Sequence, residues 1–502
     1  MAETYVYGHV FESLTMGLYP NKQEILREYV QNAYDAIVEA RAQGLSDANL
    51  IRVQVDGRNL IIQDEGIGMD EQGIGEYRYF GFSKKRMNEN VGFRGIGKLA
   101  GLAVADTMVV VTKKQGEAFR YTYKCEAEKM LRAVREAKQD AENIPLDQLI
   151  ERYSSIEKAP DDVEKHYTSV QLYGVRDEEG HLTDEEEISR YLSTVAPVPF
   201  NHEQFRYSAR IEDKLKKYLP KYQPVQVQVN GTLIYKPFDD THPLHKLKFY
   251  EVKINRRMSA ICWCLSHTEA KQINEGIPRG LSYRCKGFAI GDENLVRNTI
   301  FTSGRGNMVY WYVGEIHVYD TELIPSASRT DFEDTPARKY FYDAAREAIA
   351  KPLNAEANQR SRESAQRKKE TSALKDVSKA EKRLYNLGKK LEQQSVVKEE
   401  KKLLVAELQE IREELETKGA LIKDPDKKHE IAQQVIKIEE MTKSVQKGSV
   451  LRNVEDELGL QGDAQVVYDV IMKKVTNWFT KNAPDELSSF VASIHRALEK
   501  RN

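Results

Sequence analysis

The chain has 502 residues, 40% hydrophobic and 31% charged, with a formal net charge of −2. That length exceeds one core and suggests about three domains; the near cancellation of charge excludes a whole-molecule field drawing it to nucleic acid or membrane. Four cysteines in so long a chain exclude a disulfide scaffold. No stretch approaches the ~20 apolar residues of a membrane span, and the start, "MAETYVYGHVFESL", lacks the basic opening and apolar run of a signal peptide. A reducing, cytoplasmic compartment is the expectation.

In chain order, "NKQE" after Pro20 predicts a helix over 21–43, with Asn21 as N-cap and Glu24 three residues on. Ile25, Leu26, Tyr29, Val30, Ala33 and Ile37 keep a helical spacing, and Gly44 closes it. "IRVQVDGRNLIIQDEG" reads as a hairpin turning at Asp56-Gly57, and "TMVVVTKKQGEAFRYTYKC" as a second. Charged, helical sequence fills about 126–165, followed by a strand, "TSVQLYGV", and a proline-rich boundary, "STVAPVPFN", near 197. Strand-rich sequence then forms an α+β region to about 345. Within it, Cys262-Trp263-Cys264 alternates like a strand, which puts both thiols on one sheet face as buried apolar groups rather than metal ligands.

From about 340 to 450 the composition shifts to Lys, Glu, Gln, Arg and Leu. Val377, Ala380, Leu384, Leu387 and Leu391, then Leu404, Leu408, Ile411 and Leu415, step by 3 and 4. "KGALIKDPDKK" interrupts, and Ile431, Val435, Ile438, Met441 and Val445 resume a seam. One long helix folding back on a shorter one is the simplest reading, its 375–418 portion spanning about 65 Å at ~1.5 Å per residue. The same seam would serve a dimeric coiled coil. The expected divisions are 1–195, 196–345, 346–450 and a small helical tail, 451–502.

Chemistry concentrates near the N-terminus. "GFRGIGK", residues 92–98, matches the G-x-x-x-x-G-K phosphate loop, but Leu99 stands where a magnesium-binding hydroxyl belongs and the preceding residues are polar rather than strand-like. Upstream, "REYVQNAYDAI" sets Glu28, Asn32 and Asp35 on one helix face, and "IIQDEGIGMD" sets Asp64, Gly66, Gly68 and Met69 at a strand end. The ordered series E-x-x-x-N-x-x-D-A, D-x-G-x-G-M and G-x-x-G-x-G resembles the GHKL ATPase superfamily, which includes gyrase, the ninety-kilodalton heat-shock chaperones, histidine kinases and MutL.

The resemblance implies a Bergerat-type ATP-binding α/β sandwich, a second α+β transducer-like domain and a helical coiled coil. It implies ATP with Mg2+ held by Asn32, and Glu28 as the base for the attacking water; histidine kinases generally lack that glutamate, so hydrolysis is favoured. Asp64 would accept from the adenine amino group, with Gly66 and Gly68 letting backbone approach the base, Met69 packing on it and Asp35 in support. Thr168 would reach the same side, with Tyr167 where the family usually has glycine. Gly92, Gly95, Ile96 and Gly97 would form the hinge of an ATP lid whose backbone N–H groups bind phosphate, with Lys98 adding charge. Ser83 and Lys84 in "GFSKKR" resemble the lid's serine-lysine element. "YDTELIPSASRTDFED" resembles the middle-domain segment that sends an arginine, here Arg329, to the γ-phosphate. A solvated carboxylate for Glu28, a capping one for Asp35, and ordinary surface or loop cations for Lys84 and Arg329 stay open at this level.

ATPase, transducer and coiled coil together suggest a nucleotide-gated homodimeric clamp, paired through N-terminal domains and coil, without membrane. Its target is a protein client, as for a chaperone, or nucleic acid, as in the MORC and MutL branches, with repair, chromosome or antiviral roles. Arg360, Arg362, Arg367, Lys368 and Lys369 offer a basic stripe for the second reading, or simply a solvated helix face.

Overall fold

The computed structural model describes residues 7–8, 21–45, 48–79, 82, 95, 97–139, 144–219, 223–276, 278–302, 306–393 and 398–447, with isolated positions between 471 and 493. The chain divides into two compact units, Met1–Ser361 and Arg362–Asn502.

Helix α1 (Gln23–Ala42) begins where Asn21 Oδ1 accepts the Gln23 N–H at 2.9 Å, and ends at Gly44, whose φ of 88° suits only glycine readily. Its apolar row, Ile25 to Ile37, is almost wholly buried. Each Ile, Leu or Val among them contributes roughly 1.5–3 kcal/mol of transfer free energy. It lies on an eight-stranded sheet made of β1 (Leu50–Asp56), β2 (Asn59–Asp64), β3 (Thr107–Lys113), β4 (Phe119–Cys125), β5 (Ser154–Pro160), β6 (Tyr167–Tyr173), β7 (Gln226–Val229) and β8 (Thr232–Ile234). The order is β5-β4-β3-β6-β2-β1-β7-β8, antiparallel except where β7 runs parallel to β1. Along β1, β2 and β3 buried residues alternate with half-buried ones, the mark of a sheet with one face on the core. Helices α2 (Glu71–Tyr77), α3 (Ala127–Gln139), α4 (Leu146–Tyr153) and α5 (Glu185–Val195) contribute to the same core.

Both expected hairpins form. The helical stretch expected over 126–165 is corrected: it stops at Tyr153, and β5 follows as an edge strand. β5 carries Ile156, Glu157 and Lys158 exposed, so no apolar alternation marks it. The proline-rich segment near 197 does not end the first sheet, because β7 and β8 return to it, joined by a left-handed Asn230-Gly231 turn.

A second, five-stranded sheet follows helix α6 (Ser208–Tyr218). It comprises β9 (Leu244–Ile254), β10 (Arg257–His267), β11 (Gly280–Cys285), β12 (Phe288–Ile290) and β13 (Tyr312–Val318), ordered β12-β11-β13-β10-β9. β10 and β13 are buried on both faces. On one side Cys262 and Cys264 pack with Phe341, Ala345 and Leu353 from α8 (Pro336–Ala345) and the start of α9 (Lys351–Gln393). On the other, Trp263 packs with Phe200, Phe205 and Phe238. Helix α7 (Glu293–Ile300) lies between β12 and β13 in sequence. The two thiols are free and fully buried on one face, as the alternation predicts.

In the second unit, α9 is followed by α10 (Lys398–Gly419) and α11 (Pro425–Lys447). The single helix expected across 375–418 is corrected. Lys418 pairs with Asp376 at 3.2 Å, and Arg383 with Glu414 at 3.3 Å. In one continuous helix the first pair would stand about 63 Å apart at ~1.5 Å per residue. The chain instead reverses between α9 and α10, and again before α11, where Arg412 meets Glu439 at 2.9 Å. Val377, Ala380, Leu408, Ile411, Leu415 and Ile438 form one buried core among the three helices. The seam considered for a dimeric coiled coil is therefore consumed within the chain. Most of the expected tail, 451–502, lies outside the described residues.

Candidate functional site

Helix α1 is buried on most of its circumference, but Glu28 and Asn32, one turn apart, keep partial exposure, as does Ala36 a turn further. Both ends of this stripe are met by glycine. At its C-terminal end Gly66 lies so close to Ala36 that a Cβ there would overlap it, and the Ile67 N–H donates to the Ala36 carbonyl at 3.1 Å. At the other end a Cβ on Gly97 would collide with the Glu28 carboxylate. Ala36 and Glu28 are eight residues apart, about 12 Å at ~1.5 Å per residue, so the two glycine contacts bracket a half-buried stripe along one helix.

The loop after β2 is tightly specified. Asp64 is 6% exposed and accepts the Gly66 N–H at 2.8 Å. Gly68 has a φ of 68° and sits against the Lys113 carbonyl with no room for a side chain. The Met69 N–H donates to Thr112 Oγ1 at 2.8 Å, and that hydroxyl lies 3.1 Å from Thr168 Oγ1. Thr168 stands directly across from Asp64 in the β2–β6 register and across from Thr112 in the β3–β6 register. Asp64, Met69 and Thr168 thus converge despite Tyr167. His166 adds a ring nitrogen 2.9 Å from the Gly66 carbonyl oxygen. Asp70 caps α2 through the Gly73 N–H at 2.9 Å and pairs with Lys114. Thr112 and His166 were not singled out from sequence; a threonine ending "MVVVT" and a histidine in a charged loop carry no pattern of their own.

At the Glu28 end, Gly97 opens a 3-10 helix, Gly97–Ala103, whose Gly101 N–H donates to the Tyr29 hydroxyl at 2.6 Å. Burial pushes the Tyr29 phenol up, so it stays protonated. Gly95 has a φ of 73°. Lys98 turns towards α2: its ammonium donates to the carbonyls of Glu76 at 3.1 Å and Phe82 at 2.9 Å, a cation at a helix C-terminus. Ser83, Lys84, Gly92 and Ile96 lie outside the described residues. Asp35 is buried, at 4% exposure, on the same helix.

Arg329 occupies a turn in the left-handed region, φ 58°, and is 7% exposed. Holding a non-glycine residue there costs about 1–3 kcal/mol. Its carbonyl accepts the Gly291 N–H at 2.8 Å, just past β12. The same strand holds Arg27: an Arg27 guanidinium N–H donates to the Ala289 carbonyl. Burial lowers the Arg27 pKa; Tyr191 and Glu28 oppose that, while Arg329 and Arg284 add to it. Arg329 is therefore brought within electrostatic reach of Arg27, the chain neighbour of Glu28 on α1. Arg27 and Arg284 escaped sequence reasoning, since neither belongs to a spaced motif.

Of the basic stripe, Arg360 is not available: it donates to the carbonyls of His267, Thr268 and Glu269 and lies over the Trp311 ring. Arg362, Arg367, Lys368 and Lys369 are exposed. Among the described residues no helix is long and apolar enough to cross a membrane, and no group of three or more His, Cys, Asp or Glu residues is placed to hold a metal.

Residues 21–155 match the family described as histidine kinase-, DNA gyrase B- and HSP90-like ATPase. The chaperone protein HtpG of Orientia tsutsugamushi is 32% identical over 153 residues, covering 25% of this chain and 24% of that protein. HtpG of Wolinella succinogenes is 30% identical over 200 residues, 32% of each chain, and HtpG of Vesicomyosocius okutanii 33% over 122 residues, 20% of each. The chain spans about a quarter to a third of the first two relatives' length. The half-buried Glu28/Asn32 stripe, the Asp64 loop stitched to α1 and the glycine against Glu28 all lie within or beside that match, and residues 21–155 are a GHKL-type ATPase domain.

Proposed function

We propose that this protein binds Mg-ATP along α1 and hydrolyses it, using the cycle to open and close a homodimeric, chaperone-like clamp. The observation that supports the reading is the contact of Gly97 with the Glu28 carboxylate, from which Glu28 would act as the water-activating base beside a loop whose amides would face phosphate. Asp64, Thr168 and Thr112 supply acceptor and hydroxyl groups for the adenine end, about two helix turns away. Asn32 offers a hard neutral oxygen one turn from Glu28, which fits a magnesium ligand completed by phosphate oxygens and water. When bound, that ion would neutralise phosphate charge. Arg329 would stabilise charge developing on the γ-phosphate once the domains close.

The test is phosphate release by wild type against Glu28→Ala and Asp64→Asn. Glu28→Ala is expected to bind ATP and lose at least 100-fold in turnover; Asp64→Asn is expected to lose ATP binding. Equal turnover in wild type and Glu28→Ala would refute the assignment. Because the helical seam is used internally, pairing is assigned to the ATPase domain. Light scattering should show dimer gained with a non-hydrolysable ATP analogue; monomer with and without it would sink the clamp. A nucleic-acid clamp rests on the four exposed cations after Ser361, and ATP-dependent, salt-sensitive shift of a duplex would favour it over a protein client.

A further inference from the structure

Glu315, in the central strand of the second sheet, is 0% exposed and serves no part of the nucleotide reading. Its Oε1 accepts from Lys236 Nζ at 2.6 Å and Arg284 at 2.8 Å; its Oε2 accepts from His317 Nε2 at 3.0 Å and Trp263 Nε1 at 3.2 Å. A carboxylate offers about four lone-pair sites, and here all are used. Burial alone would raise its pKa, but Arg284 and Lys236 hold it well below the ordinary carboxylate range. Burial lowers the His317 pKa, which keeps that ring neutral.

The network does not end in the core. Lys236 comes from the segment just after β8, at the edge of the first sheet, where its own N–H donates to the Pro199 carbonyl. Arg284 reaches the other way: its second arm donates to the Gly287 carbonyl at 3.3 Å, in the left-handed Lys286-Gly287 turn joining β11 to β12. β12 then presents the Ala289 carbonyl to Arg27, the chain neighbour of Glu28, and Gly291 just beyond it holds Arg329. Arg284 also lies within electrostatic reach of Arg27.

We propose that Glu315 and Arg284 are positioning residues for the nucleotide site, acting through the β11–β12 turn on Arg27 and Arg329. The inference rests on the ATPase reading above. Arg284 is a two-armed strut: the Glu315 carboxylate anchors one arm, and the other fixes the turn that carries the docking site for α1. Arginine cannot discharge by losing its proton, so without the anchor it must move, and the α1 charge within its electrostatic reach, Arg27, is another cation. Lys236 shares the carboxylate but touches neither the turn nor α1.

The test compares turnover and ATP affinity in Arg284→Met, Glu315→Gln, their double variant and Lys236→Met of the full chain, beside wild type and Glu28→Ala. Arg284→Met leaves Glu315 balanced by Lys236, and Lys236→Met leaves it balanced by Arg284, so both retain a neutralised core. Arg284→Met and Glu315→Gln are each expected to lower kcat about tenfold with ATP affinity within about threefold of wild type. The double variant should be no worse than the poorer single, because both remove one strut. Lys236→Met should stay within about twofold. Wild-type kcat in Arg284→Met, losses that multiply in the double variant, equal damage from Lys236→Met, or kcat and affinity falling together would each overturn the proposal. If Glu315→Gln does not fold, Arg284→Met and Lys236→Met still decide. Turnover that Glu28→Ala leaves unchanged would instead refute the ATPase reading itself.

Discussion

Gly97 shows how one missing side chain defines the chemistry available to another. Its φ lies outside the left-handed region, so alanine fits the backbone, and the nearest atoms a Cβ would meet are those of the Glu28 side chain. Gly97→Ala is therefore expected to displace the Glu28 carboxylate, the proposed base, while keeping the overall fold. Phosphate release should fall at least tenfold; because Gly97 is buried, the added methyl overpacks the site and should cost about 1–3 kcal/mol, read as a lowered melting temperature with native circular dichroism retained. Normal turnover in that variant would mean Glu28 does not act from this position. The spacing of Glu28, Asn32 and Asp64 was legible because helix and strand periods place them. Thr112 and His166 were not, because only the register of β3 and β6 and the path of one loop bring them to Asp64.

At the level of elements, hydrophobic periodicity finds α1 and both early hairpins, and it fails at β5, whose pairing with β4 rests on backbone hydrogen bonds beneath charged, exposed side chains. The helical unit is the opposite case. A 3-and-4 spacing marks each seam correctly but says nothing about where the chain turns, since a continuous helix and a reversing one bury the same residues. The reversal is set by ion pairs such as Lys418–Asp376 and by the shared core at Leu408, Ile411 and Leu415. Ile411→Ala should cost about 2–5 kcal/mol through the cavity it leaves. Urea unfolding followed by circular dichroism should show the helical signal lost earlier, with ATP affinity unchanged; an unshifted midpoint would remove Ile411 from the core.

Across the whole molecule, the first unit is held by more than apolar contact, because Lys236 carries charge from the first sheet's edge into the second sheet's centre. Burial, then Arg284, push its pKa down to about 8 against the pull of Glu315. The unfolded chain keeps this proton to about 10.4, so between about pH 8 and 10.4 the unfolded state binds more protons than the folded one. The contribution to stability therefore rises with pH across that window, and is least below about 8. Wild-type urea midpoints should climb relative to Lys236→Met from pH 8 to 10. Parallel profiles would place the lysine's titration elsewhere.

The sequence alone determined the parts whose signal is local. It set the carboxylate and amide on one helix face, the glycine loop after β2, the buried thiol pair of β10 and the apolar rows of the helical unit. Tertiary structure alone decided what lies far apart in the chain. It returned β7 and β8 to the first sheet, folded the long helix back on itself, and set Gly97 on Glu28. It also joined Lys236, Glu315, Arg284 and Arg27 into one network. The reason is physical: periodicity encodes which face of an element is apolar, whereas a buried charge is stable only beside partners that the folded chain supplies.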